Sequence, residues 1–216
     1  LSQGISGLIV ARLVDPDDMG IFVSTTIVLT FIPILLIGVN NGLNRNLPYV
    51  LGQGKLDEAQ EMRNTAITFA MIISALVFVA ILSIGFYFIF QGKVKLAYAF
   101  LATTILSSVY PLTAMQEVTY RTNNDFLKLS QIKFYNVFIA FGTILLVIYY
   151  EYIGMLIRSV VIALFYLFFL FYLSKIKIKL GIKKDVMKGL LKTGFPIALV
   201  SYMYAIYVGL DKVFIL

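Results

Sequence analysis

Three arginines and two carboxylic acids stand in, or at the edges of, stretches that otherwise carry almost no charge: Arg12, Arg45, Arg158, Glu117 and Asp211. A guanidinium forks onto phosphate oxygens and keeps its charge when partly dehydrated, which suits it to holding an anion in apolar surroundings. A carboxylate in the same setting can couple to a proton or a sodium ion, or can neutralise a neighbouring cation. Each residue also has a plainer reading. Arg12 closes an apolar segment, where it either snorkels or pairs with one of the aspartates that follow, or else turns inward. Arg45, in the amide-rich run NNGLNRN, either marks one side of a membrane or lines the mouth of a cavity. Arg158 would be the most costly to expose to lipid, which favours an interior position. Glu117 is spaced i,i+4 from Arg121, so a structural pair on one helix is preferred over ion coupling. Asp211 precedes Lys212, again a local neutralised pair. Pro33 and Pro111 fall inside apolar runs and should kink any helix there, as suits a helix that bends during transport and also occurs in static bundles.

The elements that must position these residues follow from the composition. Of 216 residues, 60% are hydrophobic and 13% charged, with mean hydropathy +0.92, whereas soluble domains carry about 25% charged residues. Charge-free runs at 19–44, 64–92, 96–116 and 193–210 reach or approach the roughly 20 residues of a membrane-crossing helix. Two further runs, 134–150 and 152–174, contain only Arg158. The runs are apolar at nearly every position instead of alternating, so helices and not barrel strands satisfy the backbone. The expectation is an all-α integral membrane bundle of seven helices, near 1–13, 19–44, 64–90, 95–119, 128–150, 152–174 and 191–216. The first of these is about half a span and lacks the basic lead and cleavage site of a signal peptide. The chain reads as a fragment that lacks a few N-terminal residues and continues past Leu216.

There is no cysteine and no histidine, which removes disulfides, thiolate chemistry and the usual zinc sites. Neither G-x-x-x-x-G-K-[ST] nor G-x-G-x-x-G occurs, so ATP hydrolysis and dinucleotide chemistry are not expected. No cofactor, no metal and no catalytic residue are assigned, and an enzyme is not expected.

Lysines and arginines concentrate in alternate connections: Arg45, Lys55 and Arg63; Arg121, Lys128 and Lys133; and seven lysines between 175 and 192. The opposite side has Arg12, Lys93, Lys95 and, just inside a helix, Arg158. These connections, and the N-terminus with them, are therefore placed in the cytoplasm of an inner (plasma) membrane protein. A net charge of +7 located in this way fits anionic lipid headgroups and not nucleic acid. Tyr149, Tyr150 and Tyr152 are expected at the outer interface. Residues 52–64 place Leu56, Ala59 and Met62 at helical spacing, an amphipathic helix on the cytoplasmic surface. Gly38, Gly42, Asn40, Asn41 and Asn44 thin the end of the second helix, for close helix contact or for a wet vestibule.

One stretch carries more than composition. An apolar helix ends in IVARLV, a Pro-acid turn DPDDMG follows, then a second apolar helix and GLNRNLPYVLGQGKLDEA. Ala11, Arg12, Leu13, Pro16 and Gly20, with Gly42, Leu43, Arg45, Leu47 and Pro48, resemble the opening of the polysaccharide biosynthesis proteins. These are the O-antigen flippases of the multidrug, oligosaccharidyl-lipid and polysaccharide exporter superfamily. The chain departs from their pattern at Val14-Asp15 and at Met19, where Leu-Gly and an aromatic are usual. Later, LLKTGFPIALVSYMYAIYVGLDKVFIL resembles that family's seventh helix.

The resemblance implies a six-helix lobe over 1–174, a basic cytoplasmic linker over 175–190 and the start of a second lobe at 191–216, with Asp211 facing the gap between lobes. It implies alternating-access flipping of an undecaprenyl-diphosphate-linked glycan from the inner to the outer leaflet. Arg12, Arg45 and Arg158 would then line the cavity, and Glu117, Asp211, Pro33 and Pro111 would serve coupling or gating. Partners would be the lipid-linked glycan, membrane lipids and a glycan polymerase. The rival readings are a cation-coupled multidrug exporter of the same superfamily and a membrane-embedded glycan polymerase. From physics alone, the turn is an exterior hairpin in which Pro16 stops one helix, Gly20 permits tight re-entry, and Asp17 or Asp18 caps the next.

Overall fold

The computed structural model describes residues 2–174 and 179–215. Among them every regular element is helical, which makes the fold an all-α integral membrane bundle. The helices are α1 (Ser2–Leu13), α2 (Pro16–Thr26), α3 (Val28–Leu35), α4 (Val39–Gly52), α5 (Leu56–Phe90), α6 (Val94–Thr122), α7 (Phe126–Gly142), α8 (Ile144–Tyr172) and α9 (Lys184–Ile215). Four stretches among the described residues are long and apolar enough to cross a membrane: Pro16–Leu35, α5, α6 and α8.

The expected second helix is divided into three. Ser24, Thr25 and Thr26 turn their hydroxyls back onto the carbonyls of residues 20–23, a competition with the helical ladder that bends helices, and α2 ends at Thr26. The second division follows Pro33. The amides of Leu36 and Ile37 reach back only three residues, to Pro33 and Ile34, and Ile37 and Gly38 then take positive φ of 47° and 81°. Gly38 adopts that conformation without cost, whereas Ile37 is β-branched and strained there. Pro33 thus ends a helix where only a kink was expected. α6 runs unbroken through Pro111, which is buried.

The amphipathic helix expected at 52–64 is no separate element. It is the start of α5, whose 35 residues extend about 50 Å at 1.5 Å per residue and so project past a hydrocarbon layer of about 30 Å. The fifth helix stops at Gly142, and α8 contains a sharp turn at Glu151, with φ 44° and ψ −113°. The chain folds back there so closely that Gly154 lies against the Leu146 carbonyl and the Val147 Cα, where no Cβ would fit. A hairpin is therefore present where the sequence places one, between the fifth and sixth expected helices, but of its three tyrosines only Tyr149 and Tyr150 are exposed. Tyr152 is buried, and its hydroxyl donates to the Lys95 carbonyl at 2.7 Å. α9 begins at Lys184, so the last seven residues of the expected linker are helix, while Lys175 and Lys177 lie outside the described residues.

Val39, Leu43 and Leu47 form a buried stripe on α4 that, with Leu36 just after α3, packs on Ala59, Ala66 and Ala70 of α5, Met115 and Val118 of α6, and Leu190 of α9. A second cluster joins Val10 of α1 and Val14 just after it to Ala99 and Ala102 of α6 and to Met155 and Leu156 of α8. Both are rich in small residues, as expected where lipid is as apolar as the core and packing density must hold the helices together. The DPDDMG turn is fixed by charge: Asp15, not Asp17 or Asp18, caps α2 by accepting from the Asp17 amide at 2.9 Å, while Asp18 is free to pair with Lys95 of α6 at 2.6 Å.

Candidate functional site

Glu117 sits near the C-terminal end of α6, with a quarter of its side chain exposed, at the junction of α6, α7 and α8. One carboxylate oxygen accepts from the Tyr166 hydroxyl of α8, and the other lies 3.8 Å from the Lys133 ammonium of α7. The expected pairing with Arg121 is replaced by partners from two other helices. These helices are drawn together beneath the carboxylate: Tyr120 donates to the Leu170 carbonyl at 2.9 Å, and Leu129 and Ile132 pack against the pair. Two more polar side chains lie inside the bundle. Gln116, 1% exposed, has no partner for either end of its amide among the described residues. The same is true of the carbonyl oxygen of buried Asn136, one turn beyond Lys133 on α7.

Arg158, half-buried in α8, donates from Nη2 to the Ser6 hydroxyl of α1 at 3.0 Å, and its buried Nε has no acceptor. This arginine is interior, between two helices, as its setting in the sequence favoured. A second interior arginine was missed. Arg63 is 7% exposed on α5, donates to the Asn123 side chain at the end of α6, and keeps an unpaired Nε. It reads as a loop charge in the sequence, but Ala59, Arg63, Ala66 and Ala70 recur at helical spacing on one face, a signal that α5 begins early and buries that face.

Arg12 and Arg45 are both exposed, on α1 and α4, and neither makes an ion pair or hydrogen bond among the described residues. No such bond joins either of them to Arg158. Ser6, where Arg158 docks, is six residues, or about 9 Å along the helix, from Arg12. Asp211 lies on α9, where its side chain is outside the described residues. Of the small and polar residues ending the expected second helix, Gly38 and Gly42 serve close contact, while the Asn40 side-chain oxygen is buried without a partner among the described residues and Asn44 is exposed. A Cβ on Gly42 would overlap the Leu190 carbonyl, and one on Gly194 the Gly38 carbonyl, while Asn46 donates to Thr193 at 3.3 Å.

Compared with known families, residues 9–215 match the one described as polysaccharide biosynthesis protein. The chain belongs to that family. No curated protein and no solved structure matches it. Membership in the polysaccharide biosynthesis proteins, with four apolar spans, gives the chain a role in making or exporting polysaccharide at a membrane. In such a protein the interior polar groups fall into two kinds. Arg158 offers cationic hydrogen-bond donors, and Glu117 offers a carboxylate whose partners come from two other helices.

Proposed function

We propose that this polysaccharide biosynthesis protein flips an undecaprenyl-diphosphate-linked glycan from the inner to the outer leaflet by alternating access. The supporting observation is Arg158. An arginine within an apolar span is expensive, and this one is held between α1 and α8 by a single hydroxyl with a further donor unused. A diphosphate crossing hydrocarbon requires such a group, because the guanidinium supplies charge and directed donors together. Arg12 and Arg45, exposed on the described bundle, are assigned to the walls and mouth of the passage, and Asp211 to the gap between lobes. Moving an anion out of a negative interior gains about 2.3 kcal/mol per charge per 100 mV, so the membrane potential can drive the step. A glycan polymerase would act next on the delivered units.

Glu117 favours a second reading, a cation-coupled exporter in which protonation of the carboxylate releases Tyr166 and Lys133. A deletion strain separates flipping from polymerisation of the same glycan. Flipping predicts that lipid-linked glycan accumulates on the inner leaflet, that the wild-type gene clears it, and that Arg158→Ala leaves export about ten- to a hundredfold low, the worth of a charged hydrogen bond. Arg158→Lys should restore part of it. A strain that exports normal repeat units but fails to join them would instead indicate a polymerase.

A further inference from the structure

The first three turns of α9 carry a row of lysines that neither the bundle's packing nor the transport reading uses. Lys184, Lys188 and Lys192 recur every four residues, which places them on one face, and all three are exposed. None makes an ion pair among the described residues. The nearest acids are otherwise placed: Glu61 is taken by Lys183, and Asp185 is one residue off the lysine face. Beside the lysines, Met187, Leu191 and Phe195 form a parallel apolar row, the first two half-buried against the core and Phe195 exposed, and together the two rows line an open groove of about 670 Å³. That volume lies within the roughly 300–1,000 Å³ of small-molecule sites. Ile182 and Ile37 close the groove from outside the helix, and both are exposed, as is Phe195. Ile37 is the strained residue at the break between α3 and α4.

We propose that this groove binds one anionic phospholipid, its phosphate on Lys184, Lys188 and Lys192 and an acyl chain along Met187, Leu191, Phe195 and Ile37. Charge complementarity selects the occupant. Three unpaired cations require an anion, and the apolar row beside them requires an alkyl chain on the same molecule. The groove also spans the place where the helix changes character, since the lysines end at 192 and residues 193–210 carry no charge. Phosphate and acyl groups meet at that same depth in a leaflet. A bound lipid would bridge α9 and the α3–α4 break. The site stands whether or not the protein moves a glycan.

The test uses the full protein purified from membranes, delipidated, and exposed to phosphatidylglycerol or phosphatidylcholine, with bound lipid counted by native mass spectrometry. One phosphatidylglycerol should be retained and phosphatidylcholine should not. Each surface lysine contributes a factor of about five toward an anionic lipid, so the triple variant K184Q/K188Q/K192Q should bind phosphatidylglycerol about a hundredfold more weakly. Lys93→Gln, at the other end of the bundle, should leave binding unchanged and shows whether loss of charge alone matters. Phe195→Ser, at an exposed position, should weaken binding without unfolding the bundle. Equal retention by wild type and the triple variant, or equal retention of both lipids, would overturn the proposal. So would displacement of phosphatidylglycerol by a polyprenyl diphosphate at equal concentration, which would assign the groove to the substrate.

Discussion

Glu117 is held by two bonds of unequal worth, and the difference is measurable. The Tyr166 hydroxyl meets a half-dehydrated carboxylate, a class of hydrogen bond worth about 1.5–3 kcal/mol, whereas a Lys133 ammonium that is 56% exposed at 3.8 Å contributes less than about 1 kcal/mol. Thermal unfolding in detergent should therefore show a larger fall in Tm for Tyr166→Phe than for Lys133→Ala; the reverse order would mean that the ion pair dominates. The position of Glu117 could be read from the sequence, but its partners could not. The i,i+4 rule sees only one helix, and Tyr166 lies 49 residues away. Arg158 was legible because its apolar neighbours make a lipid-facing position costly. Arg63 was not, because a charge beside the acids of a loop reads as solvated, and only the early start of α5 buries it.

Helices α4 and α9 touch through glycine, and substitutions should sort by what a Cβ would meet. Gly42→Ala and Gly194→Ala each drive a methyl into a carbonyl of the other helix, an overpacking that costs about 1–3 kcal/mol. Gly189→Ala, on the same α9 but facing open space, should instead stabilise by about 0.5–1 kcal/mol. Purified yield and Tm would report both; destabilisation by all three alike would mean that the close contact is not what matters. The sequence located most spans, because an apolar run some 20 residues long is a strong signal. It did not show that 19–44 contains three helices. A hydroxyl that folds back on its own backbone and an isoleucine at positive φ leave no mark on hydropathy. It also joined the end of α7 to the residues leading into the Glu151 turn, since apolar residues continue without interruption between them.

The bonds at the two ends of the bundle divide its charges without reference to a membrane. Arg63 to Asn123, Lys183 to Glu61 and Asn46 to Thr193 gather the start of α5, the end of α6 and the start of α9 at one end. Lys95 with Asp18 and Tyr152 defines the other. The basic connections sort with the first set, as the charge asymmetry of the sequence requires. The natural chain has no cysteine, so a single introduced thiol reports its own side. Lys93→Cys should react with an impermeant maleimide in intact cells and Lys128→Cys only after permeabilisation; reaction of both from one side would refute the two-ended arrangement.

The meeting of Gly38, Gly42 and Gly194 also bears on how the molecule can move. Helices that touch through side chains engage like gears, and changing their angle means lifting each tooth from its slot. Here backbone also rests on backbone, beside the side chains of Leu43, Leu47 and Leu190 and the Asn46–Thr193 bond, so the carbonyls of Gly38 and Leu190 leave α9 no room to slide along α4.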